Sequence, residues 1–339
     1  MRTGGLVDLQ VNGFAGVDFN SSDLDAKALD NALSSMLATG VTTCLPTVIT
    51  ASADALHARL SALDRAVAES RLGPILVPGY HLEGPFLNSD EGYRGCHPPD
   101  AMISPDADLV FALEARLSRP ILLVTVAPEQ PGSEAFIRRL SSAGKIVAIG
   151  HSSADAETVR RAVDAGARMS THLGNGVPQT LPKLDNTIFA QLADDGLSAS
   201  FIADGIHLPG PALKAMLRAK GTARSILVTD AVSAAATTPG RYDFAGMTVE
   251  HGADGSVRVP GGSSLAGSAL TMDRAIRHLV RHDMATPQEA VLMASDNPRN
   301  LLAPAIAAHN LPMPHSGSVT WTSDLEISRV EVDGLLHVR

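Results

Sequence analysis

The sequence is organised by eight short apolar runs that alternate with longer segments of helical periodicity. The runs cover residues 6–11, 41–45, 75–81, 121–127, 146–150, 167–171, 199–203 and 226–229. Several are almost continuously apolar, which is typical of parallel strands covered on both faces. Eight strand–helix units in succession predict an α/β fold, namely a closed (β/α)8 TIM barrel. A doubly wound open sheet is the alternative, but its glycine fingerprint after the first strand is absent.

The helical segments and the end of the chain complete this plan. Helices are expected at 24–38, 51–69, 105–117, 133–143, 155–165, 211–219, 267–282 and 287–294, with N-caps at Ser133 and Asp155. Turn signals predict a β-excursion over 241–260 and a hairpin at Asp333-Gly334. We therefore assign residues 5–303 to the barrel, with the excursion inside it, and residues 304–339 to a short C-terminal β tail.

Composition excludes several classes of function. The net charge is −9, aromatic residues make up 4%, and the basic residues form no stripe, which argues against nucleic-acid binding. Two cysteines without a CxxC motif favour a reducing compartment. No apolar run approaches the roughly 20 residues that span a bilayer, and the first residues lack a signal-peptide pattern. We expect a cytoplasmic protein with no membrane partner.

Polar side chains stand at the carboxyl ends of the predicted strands. They are Gln10, Asn12, His81, Glu83, His151, His172, Asp204, His207 and Asp230. Taken singly, each is at least as often a structural residue as a functional one. In a barrel, however, all the strand ends meet on the face that carries the active site. Their joint placement therefore predicts one functional site.

The residue types in this set favour metal chemistry. Glu83, His151 and His172 supply one carboxylate and two imidazoles, which is the ligand set of a catalytic zinc site with a position left for water. Metal-bound water ionises near neutral pH, and Asp230 could serve as the base. The glycine-rich segment 260–267 opens a helix, and it is either an anion or sugar contact or a flexible turn.

Eight segments carry a family resemblance. They read DLQVNGFAGVDFN, HLEGPFLN, RGCHPP, GHSSADAE, THLGNGVP, FIADGIHLP, LVTDAV and LAGSALTMDRAI, in order from Val7 to about Arg299. With them the chain resembles the N-acetylglucosamine-6-phosphate deacetylases of the amidohydrolase superfamily. The resemblance implies a metal-dependent hydrolase barrel with one divalent ion per subunit, commonly zinc. It implies these roles: metal ligands Glu83, His151 and His172, acid/base Asp230, and carbonyl-polarising His97.

The resemblance also suggests how a substrate is held. The expected substrate-binding residues are Cys96, Asn175, Gly176, Asp204, His207, Leu265, Ala266 and Gly267. In the family the residue at the position of His207 often serves a neighbouring subunit, which predicts a homodimer. The expected ligand is a small amino sugar.

Three features depart from the family pattern. Gln10 and Asn12 replace the His-x-His that many amidohydrolases carry, which predicts a single metal. The arginine that binds the sugar phosphate is missing, and Lys183 is the only cation nearby. The chain starts almost at strand one, so the tail is expected to be a remnant of the family's accessory β-sandwich.

The predicted reaction is deacetylation of an N-acetylated amino sugar, N-acetylglucosamine 6-phosphate first among them, by metal-bound hydroxide and an aspartate acid/base. The products would be glucosamine 6-phosphate and acetate. An alternative is a deacylase of the same chemistry that acts on an unphosphorylated N-acetyl sugar or an N-acyl amino acid. A third reading is a non-catalytic protein that binds a metal or a sugar phosphate.

Overall fold

The structure, a computed structural model, describes residues 1–262 and 264–338. Eight parallel strands follow one another in a single sheet and form the predicted (β/α)8 barrel. We call them barrel strands 1 to 8: Leu6–Val11, Val41–Ile49, Tyr80–Glu83, Ile121–Val126, Ile146–Ile149, Ala167–Ser170, Ser198–Ile202 and Ser225–Val228. Ser263 of the glycine-rich segment and Arg339 of the predicted tail lie outside the described residues.

Barrel strands 1 and 8 meet through a mixture of backbone and side-chain bonds. Val11 bridges Ala231 just beyond strand 8, and the Asp230 N–H donates to the Gln10 carbonyl at 2.9 Å. Lower in the seam, the Asp8 carboxylate accepts from the Thr229 N–H at 3.2 Å and from its hydroxyl at 2.6 Å. A buried carboxylate thus replaces part of the ladder that would join the two strands.

Eleven α-helices lie within the described residues. They are Ala26–Ala38, Ala53–Glu69, Gly73–Leu76, Ala107–Glu114, Ser133–Ser142, Ala156–Ala165, Thr187–Ala193, Gly210–Lys220, Met272–Arg281, Pro287–Ala294 and Asp296–Ala308. Short 3-10 turns occur at Pro99–Ala101 and Thr222–Arg224. The predicted N-cap Asp155 is confirmed, because its side chain accepts from the Thr158 N–H at 2.8 Å.

Three predictions about elements were wrong. Barrel strand 3 begins at Tyr80 rather than residue 75, because Pro74 starts the short helix Gly73–Leu76. Ser133 is not an N-cap: Gly132 holds that position, and the Ser133 hydroxyl donates to the Gln130 carbonyl at 2.6 Å. The helices Thr187–Ala193 and Asp296–Ala308 were not predicted.

Two smaller sheets flank the barrel, besides the two-stranded antiparallel pair of Gly13–Phe14 and Val17–Asp18. The excursion is a three-stranded antiparallel sheet of Gly240–Phe244, Met247–His251 and Val257–Arg258, as its turn signals predicted. The second sheet has the order Arg2–Gly4, Ser318–Trp321, Ile327–Val332 and Leu335–Val338, so the tail holds three strands rather than two. Its first strand comes from the other end of the chain, and helix Asp296–Ala308 runs across the expected boundary at 303/304. The division into 5–303 and 304–339 stays a prediction.

A continuous apolar core joins the barrel to the terminal sheet. Leu6 and Val41 of the barrel belong to the same buried cluster as Val319, Trp321 and Val330 of that sheet. Barrel strands 1 and 2 are buried at every position, which fits their largely apolar sequence. Within the part of the chain that the structure describes, no helix is both long and apolar enough to cross a membrane.

Candidate active site

The site is built around the buried carboxylate of Glu83, the last residue of barrel strand 3. Its Oε1 atom lies 3.0 Å from Nε2 of His172 and 3.6 Å from Nε2 of His151. Its Oε2 atom lies 3.9 Å from Nε2 of His97. The ligand atoms of Glu83, His97 and His151 all lie within 4.8 Å of one another, which makes the cluster able to hold a metal ion.

Unusual backbone angles occur at three of the predicted site residues. His151, His172 and Asp230 follow barrel strands 5, 6 and 8, and their φ angles are 51°, 26° and 48°. Non-glycine residues in this left-handed region cost about 1–3 kcal/mol each and concentrate at functional sites. The strand ends are therefore bent abruptly at the positions where the sequence placed the polar residues.

His151 is held in one orientation by its surroundings. Its Nδ1–H donates to the Tyr93 carbonyl at 2.7 Å, and its Nε2 is directed at Glu83. Gly176 (φ 61°) approaches the ring so closely that an added Cβ would lie 2.6 Å from Nδ1 of His151. A carbonyl partner of this kind is the usual companion of a metal-binding histidine.

Asp230 accepts from two amide donors and shares one of them with Glu83. Its Oδ1 accepts from Nδ2 of Asn12 at 2.7 Å and from Nε2 of Gln10 at 3.1 Å, and the same Gln10 nitrogen is 3.0 Å from Oε1 of Glu83. Oδ2 of Asp230 has no hydrogen-bond partner among residues 1–262 and 264–338. One carboxylate oxygen is therefore fixed and the other is available.

Electrostatics separates the two carboxylates. Burial opposes ionisation of Glu83, but hydrogen bonds from His151 and His172 outweigh it and hold the pKa of Glu83 well below its usual range. Burial raises the pKa of Asp230 to about 6, helped by the charge of Glu83. Pairs of carboxylates whose pKa values are pushed apart commonly divide the roles of charged partner and acid/base.

His97 is a buried member of the cluster and is uncharged. Its Nδ1 lies 2.8 Å from the Thr50 hydroxyl, and its ring stands edge-on to His151 at 4.6 Å between centroids. Burial first, and then the neighbouring His151, lower the pKa of His97 to about 3. A neutral imidazole here can donate a hydrogen bond without repelling a metal ion.

The predicted substrate-binding residues form two groups around this cluster. Asn175 and Gly176 lie against it, since the Asn175 side chain donates to the His172 carbonyl at 3.1 Å and Gly176 contacts His151. Leu265, Ala266 and Gly267 reach it from the excursion, because the next residue donates its N–H to the Asp230 carbonyl at 3.0 Å.

The other predicted contacts lie nearby. His207 is paired with Asp204 through Nδ1 and Oδ2 at 2.6 Å, at the end of barrel strand 7. Burial raises the pKa of the Cys96 thiol to about 12, which keeps it in the thiol form at neutral pH.

Sequence reasoning missed what the supporting residues do. Gln10 and Asn12 were expected at the site and were taken to limit it to a single metal, but their side-chain NH₂ groups also position Glu83 and Asp230. Their oxygens, Oε1 and Oδ1, are buried and have no hydrogen-bond partner within the described residues. Thr50 and the Tyr93 carbonyl carried no sequence signal, because only the folded loops bring them to the histidines.

The fold and the site together define a class of protein. A (β/α)8 barrel with one carboxylate and several imidazoles at its carboxyl face belongs to the amidohydrolase type of metal-dependent hydrolase.

Comparisons then give the family. No family model matches the chain. The chain is 31% identical over 334 residues to N-acetylglucosamine-6-phosphate deacetylase of Lysinibacillus sphaericus, covering 98% of this chain and 82% of that protein. It is 33% identical to N-acetylgalactosamine-6-phosphate deacetylase of Escherichia coli O157:H7, covering 97% and 86%.

Solved structures indicate the same family as the sequence comparisons. A Mycobacterium smegmatis N-acetyl-D-glucosamine-6-phosphate deacetylase, an aspartate-to-alanine mutant in complex with N-acetyl-D-glucosamine-6-phosphate, superposes with a TM-score of 0.87 at 29% identity, covering 100% of this chain and 87% of that one. The enzyme of Pasteurella multocida gives 0.86 at 26% identity, covering 100% and 86%. The chain belongs to the N-acetylglucosamine-6-phosphate deacetylase family, and the resemblance found in the sequence is confirmed.

Proposed function

We propose that this chain hydrolyses the acetamide of N-acetylglucosamine 6-phosphate to glucosamine 6-phosphate and acetate. The observation that carries the proposal is the convergence of two imidazole nitrogens on one buried oxygen of Glu83, at 3.0 and 3.6 Å. The names of the family members supply the substrate class.

Glu83, His151 and His172 would hold one divalent ion, which we propose to be zinc. A tetrahedral zinc site with bonds of about 2.0–2.1 Å has ligand atoms about 3.3 Å apart, and the two distances to Oε1 of Glu83 bracket that value. When bound, such an ion polarises a carbonyl group and lowers the pKa of water. His97 could replace one of the two histidines as a ligand, but its Nε2 faces the other carboxylate oxygen of Glu83, Oε2, at 3.9 Å.

The chain's own groups then move the proton and orient the amide. Asp230 accepts a proton from water at Oδ2 while Asn12 and Gln10 hold Oδ1, and it returns that proton to the leaving nitrogen. Its pKa of about 6 leaves it ionised at neutral pH yet basic enough for this task. His97 donates from Nε2 to the acetamide oxygen, with Thr50 orienting the ring.

The surroundings of the sugar are assigned by position. We propose that Cys96, Asn175, Gly176, Asp204, His207 and the segment Leu265, Ala266 and Gly267 surround it. The exposed Lys183 takes the role of the absent phosphate-binding arginine as a point charge. We also propose a homodimer that works in the cytoplasm, to be tested by light scattering and by fractionation.

A substrate panel on metal-analysed protein tests the proposal. Acetate release is measured with N-acetylglucosamine 6-phosphate, N-acetylgalactosamine 6-phosphate, unphosphorylated N-acetylglucosamine and an N-acetyl amino acid. We expect the highest kcat/KM for the first, loss of turnover on chelation and recovery on adding zinc. A higher kcat/KM for an unphosphorylated compound would favour the general deacylase, and binding without turnover would favour a non-catalytic protein.

A further inference from the structure

A cavity lies beside the active site; none of the cluster residues lines it, and Asp204 is the one expected substrate contact among its lining residues. It has a volume of about 360 Å³ and lies between the loop after barrel strand 7, the segment after strand 8 and helix Met272–Arg281. Cavities of this size hold small metabolites. In TIM barrels the loops after strands 7 and 8 frequently bind phosphate groups.

The helix presents a row of basic side chains to this cavity. Arg274, His278, Arg281 and His282 all line it. The spacing of four, three and one residues keeps them on one helix face, opposite the buried Met272, Ala275, Ile276 and Leu279.

The carboxylates of the cavity already have donors, whereas two arginines are unpaired. Asp204 is bound to His207 at 2.6 Å, Asp254 to the Ser256 hydroxyl at 2.8 Å, and Glu326 to Arg277 at 3.3 Å. Arg274 and Arg281 form no ion pair with any residue that the structure describes. The cavity therefore has two cationic groups available to bind an anion.

His278 adds an unused polar atom. Its Nε2 is buried and has no hydrogen-bond partner within residues 1–262 and 264–338. The ring packs on Gly205, where an added Cβ would lie 2.7 Å from Cε1 of His278. This contact places the ring against the loop that carries Asp204 and His207.

We propose that this cavity binds the phosphate group of a small phosphomonoester, with Arg274 and Arg281 as its charged partners and His278 as a further donor. Arginine forks suit phosphate oxygens because each can donate two parallel hydrogen bonds. The volume suits a hexose phosphate, while inorganic phosphate offers the same chemistry. The proposal does not depend on which compound the enzyme deacetylates.

Arginine modification tests the site residue by residue. Metal-loaded protein is treated with phenylglyoxal, and modification of Arg274, Arg281 and the exposed Arg138 is followed by peptide mass spectrometry. Inorganic phosphate and glucose 6-phosphate are compared with glucose and with chloride at matched ionic strength. We expect phosphate compounds to slow modification at Arg274 and Arg281 by about fivefold or more and to leave Arg138 unchanged.

Equal rates at Arg274 and Arg281 with and without phosphate would overturn the proposal, and so would equal protection of Arg138. Stronger protection by glucose 6-phosphate than by inorganic phosphate would identify the sugar phosphate as the ligand. As a second measurement, the rise in Tm that phosphate produces should shrink in R274Q/R281Q and persist in R138Q. An undiminished rise in R274Q/R281Q would place phosphate elsewhere.

Discussion

Single side chains at the barrel mouth combine strain with fixed partners. His151, His172 and Asp230 hold left-handed backbone angles, and Gly176 leaves room for the His151 ring. Such positions are over-determined by their neighbours. Substitutions there are therefore informative only when metal content and activity are measured separately.

Asp230→Asn separates the acid/base from the metal site. The amide keeps the size of the carboxylate but cannot take a proton, so we expect kcat to fall at least about 100-fold while metal content stays at wild-type level. Metal analysis and acetate release on the same sample check this. Near wild-type turnover in Asp230→Asn would show that another group is the base.

His172 and His97 differ in the oxygen of Glu83 that they face, and matched variants test the difference. We expect His172→Asn to lose most of its bound metal, because an imidazole near Oε1 is removed. We expect His97→Asn to keep its metal and to lose kcat by roughly 100-fold. The reverse pattern, measured by metal analysis after dialysis, would exchange the roles of the two histidines.

Among the elements, the seam between barrel strands 1 and 8 has a titratable group in its middle. Burial raises the pKa of Asp8 to about 7, against hydrogen bonds from Thr229 and Gln10 that lower it. The folded protein therefore holds a proton at Asp8 that the unfolded chain releases at lower pH. Its contribution to stability is complete below about pH 4 and is lost as the pH rises through about 7.

Asp8→Asn should remove this dependence. An amide can keep the contacts, with its oxygen facing the Thr229 N–H and its nitrogen facing the hydroxyl. Between pH 4 and pH 7 we expect the free energy of unfolding to fall further in the wild type than in Asp8→Asn. The difference between the two proteins should reach up to about 4 kcal/mol. Urea unfolding at several pH values measures it, with exposed Asp23→Asn as the control; parallel curves for all three proteins would contradict the prediction.

Elements were predictable where local sequence determines them. Barrel strands 1 and 2 are buried throughout, and their short, largely apolar and β-branched sequences were enough to predict them. Residues 75–77 are equally apolar, yet Pro74 turns that run into a helix, which periodicity over a few residues cannot distinguish from a strand. Helix Asp296–Ala308 contains Pro304, a residue that argues against a helix interior.

The grouping of the strand-end residues was predictable from the sequence. Glu83, His151, His172 and Asp230 were expected to lie together because barrel topology alone brings strand ends to one face, and the structure does bring them together, while their roles stay predictions. The two oxygens of Glu83 and the amide contacts of Gln10 and Asn12 were not predictable, because they depend on rotamers and on distances of a few ångströms.

At the scale of the whole molecule, the two ends of the chain close on each other. Arg2–Gly4 pairs with Ser318–Trp321, and the buried Trp321 indole donates to the Thr3 hydroxyl at 2.9 Å. The same apolar cluster continues into the barrel. The terminal sheet is therefore part of the main core.

Removal of residues 1–4 should loosen this sheet and expose Trp321, which is the single tryptophan of the sequence. We expect its fluorescence to shift to longer wavelength and Tm to fall by roughly 5 °C. Arg2→Gln, which removes an exposed ion pair with Glu331 and an exposed hydrogen bond to the Ser318 hydroxyl, serves as the control and should change Tm little. Unchanged emission in the truncated protein would show that the first strand does not cover the indole.

The pairing of residue 2 with residue 320 also sets an order of events during synthesis. Strand Arg2–Gly4 leaves the ribosome more than 300 residues before its partner strand Ser318–Trp321. Barrel strands can meet their neighbours as they emerge, whereas this sheet closes only after all eight barrel strands have been synthesised. Until then the unpaired edge of Arg2–Gly4 is open to other chains, so this strand is a site where a nascent molecule is exposed to aggregation.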